Sequence, residues 1–94
     1  MYTNLNMFFQ HNNMKNVLKS NRKSKKLTQN QLSKLANISQ SYISDLEKEY
    51  FVHSPTVKQI ISLSKALSID PRELAEYFIE KEIKSKIKSK IKSK

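Results

Sequence analysis

Hydrophobic positions in this chain fall into short runs at helical spacing, each broken by a polar residue suited to capping. A first helix reads from Met14 to Lys26, with Val17 and Leu18 facing inward and Arg22 one turn later. Thr28 opens a second helix. Gln31 stands three residues on, so hydroxyl and amide can satisfy each other's free backbone N–H groups as a capping box. That helix runs to about Ala36, where Asn37 tolerates the left-handed backbone that ends many helices. Ser39 caps a third helix, Gln40 to about Lys48, with Ile43 and Leu46 inward. EYFVHSP, residues 49–55, reads as a loop. Thr56 caps a fourth helix, Val57 to Leu67, with Val57, Ile60, Ile61, Ser64 and Leu67 at helical spacing. Asp70-Pro71-Arg72-Glu73 opens a fifth: Asp caps, and Pro takes the first helical position, where a missing N–H costs nothing. Leu74, Tyr77 and Phe78 face its core side. No segment before the tail alternates like a strand, so the expected fold is all-α with five short helices.

The same pattern divides the chain. Residues 1–13 are rich in Asn, lack an apolar period and read as an arm; residues 14–82 form one helical domain; residues 83–94, IKSKIKSKIKSK, form a Lys-rich tail. Ile79, Ile83, Ile87 and Ile91 recur every four residues, and Glu80–Lys84 and Glu82–Lys86 make favourable pairs. Beyond Lys86 only lysines face each other at that spacing, so the helix is expected to end near Lys86 and fray.

Composition removes several classes of function. The chain has 94 residues, 37% of them hydrophobic, enough for one compact helical core. Absence of cysteine excludes disulfides and thiolate metal sites, and suits the cytoplasm better than secretion. Absence of glycine excludes glycine-rich phosphate loops. The N-terminus has no basic segment and no long apolar run, so neither a signal peptide nor membrane insertion is expected. His11 and His53 have no cysteine and no early acid to complete a ligand set, and no Ser, His or Asp stands in an activated context. The reading is of no enzyme, no metal and no cofactor.

Charge then points to a partner. The formal net charge is +10. Residues 1–44 carry seven Lys/Arg and no acid, residues 45–82 five Lys/Arg against eight Asp/Glu, and the tail six lysines. A basic first half favours nucleic acid over a merely solvated surface.

LTQNQLSKLANISQSYISDLEKE, Leu27 to Glu49, is the informative stretch. Two capped helices meet at a tight turn around Asn37-Ile38, with Leu32, Leu35, Ile38, Ile43 and Leu46 on one shared face and small Ser33 at the close approach. Such a unit holds its second helix proud of the domain, where it fits the DNA major groove. Gln40, Ser41, Ser44 and Asp45 then face base edges, while Thr28, Gln29 and Ser39 offer the helix N-termini to phosphates. Asp45 fits an intrahelical or solvent role as well as it fits base reading, since a carboxylate near phosphates is costly. Tyr42 fits the core as well as it fits a backbone contact.

From Leu18 to Leu74 the chain resembles the Cro/phage-repressor (XRE-type) helix-turn-helix family, whose domains are compact, five-helix and lambda-repressor-like. Arg22, LTQNQLSKLA, IS-QSYIS, Leu46-Glu47, Pro55-Thr56 and KALSIDPREL carry the likeness together. The resemblance implies that Gln29 contacts phosphate and buttresses the reading helix, that Gln40, Ser41, Ser44 and Asp45 read bases, and that Tyr42 lies along the backbone. It also implies a buried pair between Arg22 and Glu47. The family often has glycine where Lys26, Asn37 and Glu49 stand here, and its loop before Pro55 is usually shorter, so His53 and Ser54 are weaker candidates for contact.

The function expected is a sequence-specific regulator of transcription, most often a repressor, binding double-stranded DNA as a homodimer. Tyr77, Phe78, Ile79, Ile83, Phe8 and Phe9 are candidate dimer contacts, and control by a regulatory protein partner is open. The competing reading is a protein-interaction or antitoxin-like module whose basic tail binds RNA or acidic lipid. The Gln, Ser and Tyr surface of the third helix ranks it second.

Overall fold

A computed structural model describes residues 16–49 and 53–92, with residues 87–92 as helical backbone only. The expected arm, Phe8 and Phe9 among it, lies outside the described residues. Five helices follow one another: α1 Val17–Ser24, α2 Gln29–Ala36, α3 Gln40–Leu46, α4 Val57–Leu67 and α5 Pro71–Lys92. No strand occurs among the described residues.

Side-chain caps start the helices. The Asn16 side chain accepts the Lys19 N–H, Ser39 accepts that of Tyr42, and Asp70 accepts that of Arg72. Thr28–Gln31 and Thr56–Gln59 are complete capping boxes with both reciprocal bonds.

Three helix ends share one device. Lys26, Asn37 and Ser68 adopt positive φ of 59°, 57° and 58°. In each case the next residue's N–H reaches back to the carbonyl five residues earlier: Leu27 to Arg22, Ile38 to Ser33 and Ile69 to Ser64. Those next residues are apolar and pack on or into the core, as the motif requires. A chain without glycine thus stops three helices with other residues: Asn37 tolerates the left-handed backbone, whereas Lys26 and Ser68 crowd it, at ~1–2 kcal/mol each for an ordinary L-residue. Lys26→Gly and Ser68→Gly should each raise stability by about 0.5–1 kcal/mol after the larger unfolded-state entropy of glycine is deducted. Urea denaturation measures this, and a loss at either site would contradict the strain.

One core joins all five helices. Leu18, Leu32, Ala36, Ile38, Ile43, Leu46, Ile60, Leu63, Leu67, Leu74, Tyr77 and Phe78 are buried. Ser62 ties α4 to α2 by donating to the Ala36 carbonyl at 2.6 Å.

Several sequence expectations shift. Leu35 is 61% exposed, because α2 buries the stripe of Leu32 and Ala36, and Leu35 lies roughly 100° from Ala36 around the helix. Val57 is 73% exposed, since the first turn of α4 projects past the core, and Ile61 sits on the outer side of the stripe Ile60, Ser64 and Leu67. Tyr77 and Phe78 pack inside the core with ring centroids 5.2 Å apart and planes tilted by 56°, which removes them as surface for a second chain. α3 ends at Leu46, where Glu47 turns out to pair, instead of continuing to Lys48. α5 runs to Lys92, beyond the end expected at Lys86. Its sequence there holds no proline or glycine to break it, and repulsion between lysines four residues apart, a few tenths of a kcal/mol per pair, is too weak to set a boundary.

Candidate nucleic-acid interface

The geometry centres on α3, a helix of seven residues held at both ends. At its start Ser39 accepts the Tyr42 N–H at 3.1 Å. At its end Glu47 gathers donors from separate parts of the chain. Arg22 Nε donates to Oε2 at 2.6 Å and Arg22 Nη2 to Oε1 at 3.0 Å, a bidentate pair. Gln29 Nε2 also donates to Oε1, at 3.0 Å, and Asn16 Nδ2 donates to the Glu47 carbonyl at 2.8 Å. Arg22 is 8% exposed and its remaining Nη1 donates to the Leu27 carbonyl at 2.7 Å. A charge so buried is tolerable only with its donors fully used. Among the described residues no buried side-chain N or O lacks a partner.

With its ends fixed, α3 presents its first turn outward. Gln40 and Ser41 are exposed, and Ser44 is half-buried behind them. Asp45 is exposed and pairs with Lys48 at 3.1 Å, so its carboxylate is engaged within the same element. Tyr42 is half-buried against the core, and its hydroxyl donates to the His53 carbonyl at 3.0 Å. Burial raises its pKa first and the Asp45 carboxylate second, so the phenol stays a neutral donor. Tyr42 therefore bridges core and loop. The Ser54 hydroxyl donates to the Glu82 carboxylate of α5, which also faces Lys86 at 3.8 Å.

Thr28 and Gln29 head α2. The Thr28 hydroxyl is used in its capping box and Gln29 turns one donor inward to Glu47. Gln29 thereby couples the start of α2 to the end of α3.

Beside α3 lies an open groove of about 700 Å³, with Ser39, Tyr42, Lys58, Gln59 and Ser62 among its walls. Lys58 is exposed in the first turn of α4 and was not singled out from sequence, although a basic residue next to a Thr cap is a legible sign. Lys19, Lys23, Lys25, Lys26 and Lys34 are all exposed. Lys81 is another residue that sequence did not flag. It is buried, and its Nζ donates to the Leu46 carbonyl at 2.7 Å. Burial pushes its pKa down to about 8, against the pull of Glu47 and Glu49. Its neighbour Tyr77 is pushed up to about 12, by burial first and then Glu47. Among the described residues no three His, Asp or Glu side chains gather where they could hold a metal ion.

A helix-turn-helix family model matches residues 18–74, from α1 through the first turn of α5. The chain belongs to the XRE-type helix-turn-helix family. The matched segment includes the Arg22–Glu47 pair, which ties α1 to the end of α3. XRE-type domains are DNA-binding regulatory domains, not an enzyme family, and this chain is a DNA-binding regulator in that broad sense. The match ends before Lys81 and the Lys-rich tail, which this XRE-type chain adds to the shared segment. No curated protein and no solved structure matches the chain. No helix among the described residues is long and apolar enough to cross a membrane.

Proposed function

We propose that this protein is a sequence-specific regulator of transcription, a cytoplasmic repressor that occupies its operator with α3 in the DNA major groove. The observation that supports this most is the contrast within α3. Its first turn, Gln40 and Ser41, is exposed, while its far end is locked by Arg22, Gln29 and Asn16. A reading head needs that combination, because base contacts discriminate only when the helix cannot tilt to accept the wrong base. Gln40 is suited to adenine, whose N6 and N7 match its amide, and Ser41 and Ser44 can serve several bases. Asp45 is a weaker reader because Lys48 holds it. Thr28, Gln29, Ser39 and Tyr42 are the backbone contacts on this reading, and Lys58 joins them from the groove it shares with Ser39 and Tyr42.

The protein acts as a homodimer on this reading, with half-sites about 34 Å apart or a multiple of that. Ile79, exposed on α5, and half-buried Ile83 are the candidate contacts that remain on α5 once Tyr77 and Phe78 are assigned to the core. The tail is a backbone anchor. Deleting residues 84–94 should weaken binding to all duplexes alike and lower the log–log salt slope by up to about five units, at ~0.9 per phosphate neutralised. Fluorescence anisotropy titrations across a salt series measure it, and an unchanged slope would remove the tail from the interface.

A further inference from the structure

The carbonyls in the last turn of an α-helix have no partner within the helix, and the negative end of its dipole gathers there. For α3 the Leu46 carbonyl is one of these, and it meets a cation. Lys81 of α5 brings its ammonium to 2.7 Å from the Leu46 oxygen and lies 5.2 Å from the centroid of the Tyr77 ring. The residue is only 5% exposed. Around it stand Glu47, already held by Arg22, then Glu49 and the Tyr77 ring.

An apolar side chain at this place on α5 would continue the stripe of Leu74 and Phe78 without burying a charge. The lowered pKa of Lys81 says the same: the fold disfavours its proton, so its charge adds little to overall stability. What the ammonium does supply is local. It fixes the end of a helix too short to fix itself. It also stands beyond residue 74, outside the segment shared with the family.

We propose that Lys81 is a positioning residue for sequence reading: by holding the Leu46 carbonyl it sets the angle at which α3 presents Gln40 and Ser41, making α5 part of the reading head. This rests on the DNA-reading function proposed above, so its test has one arm without DNA. Lys81→Met keeps a stem of similar size and removes the donor; Lys81→Arg keeps charge and donor.

Both full-length variants are compared with wild type by thermal melting, amide hydrogen exchange and competition between a selected duplex and its scrambled counterpart. Lys81→Met should fold with a melting temperature close to wild type. The amides of Glu47 and Lys48, which close the last turn of α3, should exchange about tenfold faster, the equivalent of one charge-assisted hydrogen bond, while that of Leu32 in α2 stays unchanged. Preference for the selected duplex should fall about tenfold with scrambled-duplex affinity intact, and Lys81→Arg should recover most of both effects. Unchanged exchange at Glu47 and Lys48 overturns the proposal whatever DNA does. Equal losses on both duplexes overturn it too, reducing Lys81 to one more positive charge. If wild type itself prefers neither duplex, the DNA-reading function has failed, and the exchange arm still decides whether Lys81 holds α3.

Discussion

Glu47→Ala should cost ~3–5 kcal/mol of folding stability, the typical loss when one partner of a buried ion pair is removed. The expectation rests on what is left behind. Arg22 would keep its charge at 8% exposure with two of its three donor groups unanswered, and Gln29 would lose its partner. A small domain has only about 5–15 kcal/mol in total, so much of the population should unfold under mild conditions. Urea denaturation followed by circular dichroism measures the loss. A double replacement, Arg22→Met with Glu47→Leu, should be far milder than Glu47→Ala alone, because two apolar groups leave no stranded charge. A Glu47→Ala loss under ~1 kcal/mol would mean that the pair behaves like an exposed one.

Gln40→Ala should leave the fold intact and reduce affinity for the selected duplex by about 1–3 kcal/mol, from several-fold to over a hundredfold. The residue is exposed in the first turn of α3, and no core contact depends on it. Affinity for unrelated duplexes should hardly change, since backbone contacts and lysines carry that part. A uniform loss across sequences would make Gln40 a phosphate contact instead of a reader.

Four of the five helix starts were legible because capping is local chemistry; α1, read from Met14, starts instead at Val17 behind the Asn16 cap. Thr28 with Gln31, Ser39, Thr56 and Asp70 each announce a first turn within four residues, and each start is found there. Helix ends were legible only in part. Asn37 is a familiar stop, whereas Lys26 and Ser68 take the same backbone with side chains that do not advertise it. The sign that was available is the isolated apolar residue after each: Leu27, Ile38 and Ile69.

The exposure of Leu35 and Val57 could not be read from spacing, because a short helix touches its neighbours over a narrower arc than its apolar residues span. The Arg22–Glu47 pair followed from family likeness, since nothing local links positions 25 residues apart. Lys81 was hidden for the opposite reason. Its letter suggests solvent, although its place one turn after Phe78 continues a buried stripe. A lysine on an apolar stripe marks either a surface stem or a buried donor, and only the position of the Leu46 carbonyl separates them.

Selection of bound sequences from random duplex DNA by the purified protein, wild type beside Gln40→Ala, decides whether α3 reads sequence. Wild type should enrich one motif at moderate salt, arranged as two related half-sites, and Gln40→Ala should relax preference at one position in each half-site while the rest of the motif persists. Wild type that enriches no motif, while still binding duplex DNA, would contradict sequence reading by α3.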